Sequence, residues 1–439
     1  MSGSKIGFRE ATSLGVGGII GAGIFVLSGT ASGEAGPAVL LSFGFAFVAS
    51  LILGLCYAEL SSMHEDSGGP YAYAKAHLPG WVATVVGWAN LGAWVCASAY
   101  VGIGFGEHMH LLVPALNPHV AASTLIVIFT LLNLLGLRVS GRVQFLVMLL
   151  EIGVLLLFIG IGAVKIDPSL YHPFVAHGMS GIFAAALIGF LSLTGWDAIV
   201  VAAEEIERPR RNIPLSILTS LAIVFVLYGG LLLVVNGLIR WDQLGRSTTP
   251  VADAANLVLG HLGEPVIDLV IVIALTATTN AFVVVISRTA YVLARDNRAP
   301  AVVARTWSES TPWVAILLAG TSQIGMAVFS NLRFAVSATG FLYTITFIAS
   351  VVALFVARSR GRQADFRVPW YPVVPALALA LCFGFISGSG RVGVAVGTAW
   401  IGLGLGCAAL TRRSRRPVPA GVLGQSSGMP AGPADEPGS

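Results

Sequence analysis

Two carboxyl groups stand where charge is costly. Glu151 opens the stretch Glu151-Ile-Gly-Val-Leu-Leu-Leu-Phe158, and Asp197 closes the stretch Gly189-Phe190-Leu191-Ser192-Leu193-Thr194-Gly195-Trp196-Asp197; both sit in long apolar runs. A charge at mid-bilayer costs roughly 2.5–3.5 kcal/mol on insertion scales, so each acid must be protonated, paired or bound to a cation. The second resource is main chain. Gly15, Gly17, Gly18, Gly21 and Gly23 crowd the first apolar span, and each weakens a helix interior by about 1 kcal/mol relative to Ala. A helix written this way breaks, and unpaired backbone is tolerated in a bilayer only where it is buried in protein or lines a cavity. Acids and exposed backbone dipoles together suit the binding and passage of a small polar solute.

The elements that must position these groups are membrane helices. Of 439 residues, 56% are apolar and 10% charged, with mean hydropathy +0.84, against about 25% charged in soluble domains. Runs of roughly 20 apolar residues predict twelve spans, near 11–32, 38–59, 81–106, 119–137, 143–164, 180–203, 216–238, 266–294, 313–330, 334–357, 372–388 and 391–411. The fold class expected is an all-α polytopic membrane protein. With the N-terminus inside, the outer segments hold Lys165, Arg240, Arg246, Arg333 and Arg391, Arg288 lies within the eighth span, and the other 19 of the 25 cationic residues fall inside. That asymmetry predicts a multi-pass protein of the cytoplasmic membrane with both termini cytoplasmic. The net charge of +4 is then a topology signal; the basic residues are spread over short loops, which argues against a nucleic-acid partner.

Lys5 and Arg9 precede the first span as in a secretory signal, but the run exceeds an h-region of roughly 7–15 residues. Cys56, Cys96, Cys382 and Cys407 fall inside spans and imply neither disulfides nor metal. No GxxxxGK[ST] loop occurs, so ATP-driven chemistry lacks its phosphate cradle; neither Asn331 nor the histidines have ligand spacing. A channel would need a filter-like segment or rings of charge, and an intramembrane enzyme needs more clustered groups than Glu151 and Asp197. From Pro417 the chain is rich in Gly, Pro and Ser, the composition of a disordered tail.

The sixth span repeats the design of the first, with Gly189, Ser192, Thr194, Gly195 and Asp197 interrupting an apolar helix. One glycine pair would read as close helix packing. Interruptions five spans apart instead predict two five-helix units related by an inverted pseudo-two-fold, whose broken helices meet at the midplane. The expected layout is a cytoplasmic N-terminus at 1–10, a first repeat at 11–164, an inverted repeat at 180–357, two additional helices at 372–411 and a cytoplasmic tail at 412–439.

Four stretches carry a family likeness: GVGGIIGAGIFVLSG at Gly15–Gly29, YAELSSMHEDSGGPYAYAKAHLPGW at Tyr57–Trp81, GWDAIVVAAEEIERPRRNIP at Gly195–Pro214 and SRTAYVLARDNRAP at Ser287–Pro300. With these the chain resembles the amino acid–polyamine–organocation superfamily of secondary transporters, within it the prokaryotic permeases similar to the cationic-amino-acid-transporter group. The likeness covers about residues 5–410. It implies a LeuT-like fold, with ten core helices and two C-terminal ones, and alternating-access transport of an amino acid.

An amino acid needs partners for its carboxylate and its ammonium. N–H groups around Ile20, Gly21, Ala22, Gly23 and Ile24 suit the carboxylate; carbonyls near Gly17–Gly18 and Phe190–Ser192 suit the ammonium, with Ser192 and Thr194 as side-chain helpers. The resemblance makes these segments the substrate site. In arginine-selective relatives an acid or amide on the third or tenth helix commonly reads the distal charge. The third span here, from Gly87 to Tyr100, has no acid, which favours neutral amino acids; its Asn90 is open between contacting solute and bonding another helix. Several relatives gate with an aromatic residue at the position where this chain has Leu191, and neighbouring Phe190 is the possible substitute.

The drive is expected to be an ion gradient, with no cofactor beyond the coupling ion. Some proton-coupled members have a lysine on the fifth helix where this chain has Glu151. Either Glu151 binds the proton, with Asp197 a second sensor or a helix-6 tether, or Glu151 binds sodium with Thr276, Thr279, Asn280 and a helix-1 carbonyl. An inert interhelical role for Glu151 also stays open. Glu204, Glu205 and Glu207 beside Arg208, Arg210 and Arg211 could latch the inner gate, although solvated pairs contribute only about 0–1 kcal/mol each; Glu59, Glu65 and Asp66 read the same way. Exchange stays open beside uptake. The partners expected are the amino acid and the lipid bilayer, with no heavy chain, in a monomer or weak homo-oligomer.

Overall fold

A computed structural model describes residues 6–20, 22–64, 69–136, 141–201, 203, 206–260, 263–307 and 311–414. Gly21, Glu65, Asp66, Glu204, Glu205 and the tail from 415 lie outside the described residues. The helices in chain order are α1 (Phe8–Ile19), α2 (Ala22–Ala35), α3 (Val39–Met63), α4 (Gly69–His77), α5 (Gly80–Leu112), α6 (Pro118–Leu134), α7 (Gly141–Ala163), α8 (Gly178–Ser192), α9 (Ala198–Val201), α10 (Pro209–Leu238), α11 (Trp241–Leu244), α12 (Pro250–Leu259), α13 (Gly263–Arg295), α14 (Trp313–Phe329), α15 (Leu332–Ser359), α16 (Val373–Gly388) and α17 (Gly390–Ser414). Among the described residues the only extended pairing is an isolated bridge between Ile6 and Ile206.

The protein is an all-helical polytopic membrane protein. Seven described helical segments are long and apolar enough to cross a bilayer, and Pro118–Leu134, Gly178–Ser192, Pro250–Leu259, Trp313–Phe329 and Val373–Ile386 are shorter apolar helices. Each of the twelve predicted windows is occupied by helix, interrupted in the first and the sixth. The segment between the seventh and eighth predicted spans carries α11 and α12.

α5 is the axis of the bundle; α4, α6, α13, α14, α15 and α17 pack around it. Its sequence allows this because small residues let neighbours approach closely: Gly102 lies against Ala327 of α14, and Gly92 against Trp400 of α17. α7 shows the opposite pattern. Leu146, Leu149, Leu150, Leu156 and Leu157 are exposed on it, as a hydrocarbon-facing surface requires, while Glu151 is buried on the inner side.

A seam of hydroxyls joins α1 to α10. Thr12 Oγ1 donates to Ser216 Oγ (3.3 Å), and Ser220 Oγ donates to the Thr12 carbonyl (3.1 Å). Beyond the interruption, Asn236 Nδ2 of the same α10 donates to Ser32 Oγ of α2 (3.1 Å). At another helix end, Glu59 of α3 corrects the expectation of a solvated charge. It is 1% exposed and accepts Arg358 Nε at 2.6 Å, Arg358 Nη2 at 2.7 Å and the Val368 N–H at 2.7 Å. The Arg358 guanidinium also lies 4.1 Å from the Tyr371 ring centre.

Candidate functional site: two interrupted helices in contact

The first apolar helix stops where its glycines accumulate. α1 ends at Ile19, Ile20 turns to an extended backbone with φ −74° and ψ 98°, and α2 begins at Ala22. The N–H of Ile20 donates to the Val16 carbonyl at 2.7 Å, so Ile20 is not the free donor expected of it. Ala22, Gly23 and Ile24 form the first turn of α2, where N–H groups have no partner within their own helix. The Ile19 carbonyl, at the other lip, accepts the hydroxyl of Tyr228 from α10 at 2.8 Å.

The sixth span is interrupted over residues 193–197. α8 ends at Ser192, Gly195 takes φ +114°, and α9 resumes at Ala198. At Gly195 a side chain would face both a left-handed backbone and the Gly18 carbonyl. The carbonyls of Phe190 and Leu191 were expected to be free; they instead accept the N–H groups of Leu193 (3.1 Å) and Thr194 (3.2 Å), because the chain tightens as it leaves α8. Thr194 Oγ1 also bonds the Leu191 carbonyl at 2.6 Å.

The two interruptions touch. A Cβ on Gly18 would meet the Gly195 carbonyl oxygen at 2.6 Å, and one on Gly23 would meet Ser192 Cα at 2.8 Å. Ser192 Oγ donates to the Gly23 carbonyl at 3.1 Å and shares its proton with the Ile188 carbonyl at 2.9 Å. Gly18, Gly23, Ser192 and Gly195 thus lie at one junction.

Aromatic rings surround this junction. Trp196 meets Tyr57 edge to face (ring centres 5.1 Å apart) and stacks on Phe347 (6.0 Å); Tyr343 stacks on Phe347 (5.5 Å), and Trp94 of α5 meets Tyr343 (5.9 Å) and Phe282 of α13 (5.0 Å). Phe190, expected as a gate, stacks on Phe385 of α16 at 4.3 Å and meets Phe347 edge-on; Leu191 is buried. Several buried polar atoms find no protein partner here: both side-chain oxygens of Asp197, both amide atoms of Asn90, and the indole N–H groups of Trp94 and Trp196. Buried polar atoms without partners are uncommon and call for an explanation such as water or solute. Asp197 lies within electrostatic reach of Tyr57, Tyr100 and Tyr343.

Glu151 of α7 is 2% exposed and leaves Oε2 without a partner. It lies within electrostatic reach of Tyr228, the residue that holds the Ile19 carbonyl. Its expected companions lie on α13. Thr276 Oγ1 and Thr279 Oγ1 bond the carbonyls of Val272 (2.6 Å) and Leu275 (2.7 Å) in their own helix, and Asn280 Oδ1 accepts Asn133 Nδ2 of α6 at 2.9 Å.

Sequence reasoning missed Tyr228, the Glu59–Arg358 pair and a wholly buried pair, His108 of α5 with Asp268 of α13, whose Nδ1 and Oδ1 stand 2.7 Å apart. Tyr228 has no signature, being one tyrosine in an apolar run. His108 and Asp268 are each legible as polar residues near the ends of apolar spans, but only folding pairs them.

Known proteins give an independent measure of the chain. The sequence model of the family described as "Amino acid permease" matches residues 6–403. The methylthioribose transporter of Bacillus subtilis (strain 168) is 30% identical over 403 residues, covering 86% of each chain. The branched-chain amino acid permease BcaP of the same organism is 30% identical over 428 residues and 91% of each chain. The gamma-aminobutyric acid permease of Escherichia coli (strain K12) is 26% identical over 409 residues and 86% of each chain.

Proposed function

The chain belongs to the amino acid permease family, and from that premise we propose that it is a secondary active transporter that takes up neutral L-amino acids with a proton by alternating access. The fold is LeuT-like, with twelve spans: an inverted five-plus-five repeat at 11–164 and 180–357, and two additional helices at 372–411. Both termini face the cytoplasm. The observation that carries the reading is the junction of the two interrupted helices, where Gly18 meets Gly195 and Gly23 meets Ser192.

The substrate carboxylate binds the first-turn N–H groups of α2 at Ala22, Gly23 and Ile24, where the helix dipole favours an anion. Its ammonium lies toward the backbone carbonyls near Gly17 and Gly18. The side chain projects toward the rings of Trp94, Phe282, Tyr343 and Phe347, an apolar setting that suits an uncharged group. The relatives named for branched-chain amino acids agree with that chemistry.

Glu151 holds the coupling proton, and Asp197 is a second proton-binding carboxyl beside the substrate. Tyr228 links Glu151 to the lip of the first interruption. The burial of Glu151 with Oε2 unpartnered supports a carboxyl that carries a proton, because a neutral acid is the form such a setting tolerates.

Purified protein in liposomes, given one radiolabelled amino acid at a time under imposed pH or sodium gradients, tests this. Accumulation of leucine, isoleucine or valine with an inward proton gradient is expected. Failure to accumulate any neutral amino acid, or accumulation only with sodium, overturns the reading.

A further inference from the structure

A cavity of about 380 Å³ opens on the basic end of α10, lined by Arg210, Arg211, Pro214, Leu215, Leu218, Asp365 and Phe366. Five of these residues run along one stripe of α10, from charged to apolar. Arg210 and Arg211 lie in its first turn, Pro214 and Leu215 one turn on, and Leu218 a turn beyond. At 1.5 Å per residue, Leu218 lies roughly 10–12 Å past the two arginine positions along the helix. Charge followed by hydrocarbon over that distance is the profile of the membrane interface.

The facing wall is fixed. Asp365 and Phe366 belong to the connector between α15 and α16, and Ser62 Oγ of α3 accepts the Phe366 N–H at 3.3 Å while sharing its own proton between the Glu59 carbonyl (2.8 Å) and the Phe366 carbonyl (3.3 Å). Two residues on, the Val368 N–H is held by buried Glu59. The groove therefore exists before anything enters it.

We propose that this groove binds the headgroup of phosphatidylethanolamine. Its phosphodiester meets the guanidinium group of Arg211, with the positive charge of Arg210 beside it, its primary ammonium meets the Asp365 carboxylate, and one acyl chain runs along Leu215 and Leu218. A purely anionic headgroup would set its phosphate against the basic side of the groove but offer the Asp365 carboxylate no N–H donor. A phosphatidylcholine headgroup carries no N–H to donate to it. Guanidinium–phosphate and ammonium–carboxylate pairs are the strong, charge-assisted kind, and basic pockets beside membrane helices hold lipid headgroups. The cavity accommodates a headgroup and excludes a helix of a second protomer, which is about 10–12 Å across. The inference does not rest on the transport reading, since none of these residues touches the junction of the interrupted helices.

The test uses the purified full chain in detergent, with bound lipid counted by native mass spectrometry and thermal stability followed beside it. Phosphatidylethanolamine is expected to be retained about tenfold better than phosphatidylcholine, the discrimination of one charge-assisted hydrogen bond. Asp365→Asn should erase that preference, Arg211→Gln should lower retention of both lipids, and Asp365→Glu should restore the preference, which separates recognition from misfolding. Free phosphoethanolamine at matched concentration should neither stabilise the protein nor displace the lipid. Equal retention of phosphatidylethanolamine and phosphatidylcholine, tighter retention of phosphatidylglycerol, or full competition by free phosphoethanolamine would each overturn the proposal.

Discussion

Tyr228 of α10 donates its hydroxyl proton to the carbonyl of Ile19 at 2.8 Å, the last helical residue before the first interruption. That carbonyl has lost its own helical partner, so the tyrosine supplies the bond that helix geometry withholds. Tyr228→Phe leaves the buried carbonyl unsatisfied, which costs about 1–3 kcal/mol. We expect the maximal uptake rate to fall about tenfold for each 1.4 kcal/mol by which the bond is stronger in the transport transition state than in the resting state, while the variant stays folded. Uptake into proteoliposomes beside a melting curve checks it.

Gly195 tests the contact between the interruptions. Gly195→Ala must adopt φ +114° with the Gly18 carbonyl in its way, at a backbone cost of about 1–3 kcal/mol before the collision. Uptake should vanish and Tm should fall. Gly44→Ala, where no atom lies within 4 Å of the new methyl, should leave both unchanged.

Glu151→Gln separates the two ion readings. Proton-driven accumulation should disappear while exchange of internal for external substrate persists, because a glutamine keeps the shape and cannot carry the proton. Counterflow with and without an imposed pH gradient reads both. Retained proton-driven accumulation removes Glu151 from coupling.

The Glu59–Arg358 pair predicts an asymmetry in stability. Removing Arg358 strands the buried Glu59 charge, so Arg358→Leu should cost about 3–5 kcal/mol, and Glu59→Leu, which leaves the partly exposed Arg358, should cost less. The double replacement should recover part of that loss. Chemical unfolding in detergent of the four proteins completes the cycle; additive single losses would contradict the pairing.

His77 gives a pH dependence. It stands at the end of α4, with its Nε2 3.1 Å from that of His64. Burial, then His64, Arg360 and Arg362, lower its pKa from the usual 6.5 to about 4. Between those values the unfolded chain binds a proton that the folded chain refuses, so stability rises with pH across that window and is lost as pH falls from 6.5 toward 4. The wild-type Tm should therefore drop more between pH 7 and pH 5 than that of His77→Asn.

Much of the architecture was legible in the sequence because apolar length and glycine placement are local properties. Each of the twelve windows is helical, and the interruptions fall at Ile20 and at 193–197, beside the glycines that foretell them. The fine structure of the junction was not legible. That Phe190 and Leu191 spend their carbonyls on Leu193 and Thr194 depends on how α8 tightens at its end, and the pairing of Asn280 with Asn133 depends on which helices become neighbours. Glu59 looked solvated because its partner lies 299 residues away.

The bonds that tie the first span to α10 contain an arithmetic identity. Thr12 pairs with Ser216 before the interruption and Ser32 with Asn236 after it, and both pairs are separated by 204 residues. The gap therefore consumes no net register: the broken rod keeps step with its intact neighbour as though it had never been cut. Adding or deleting a single residue at Ile20 would slide one half by about 1.5 Å and turn it by about 100°, swinging Ser32 away from Asn236. Substitutions in this segment can be graded in their effects, but a change in its length cannot.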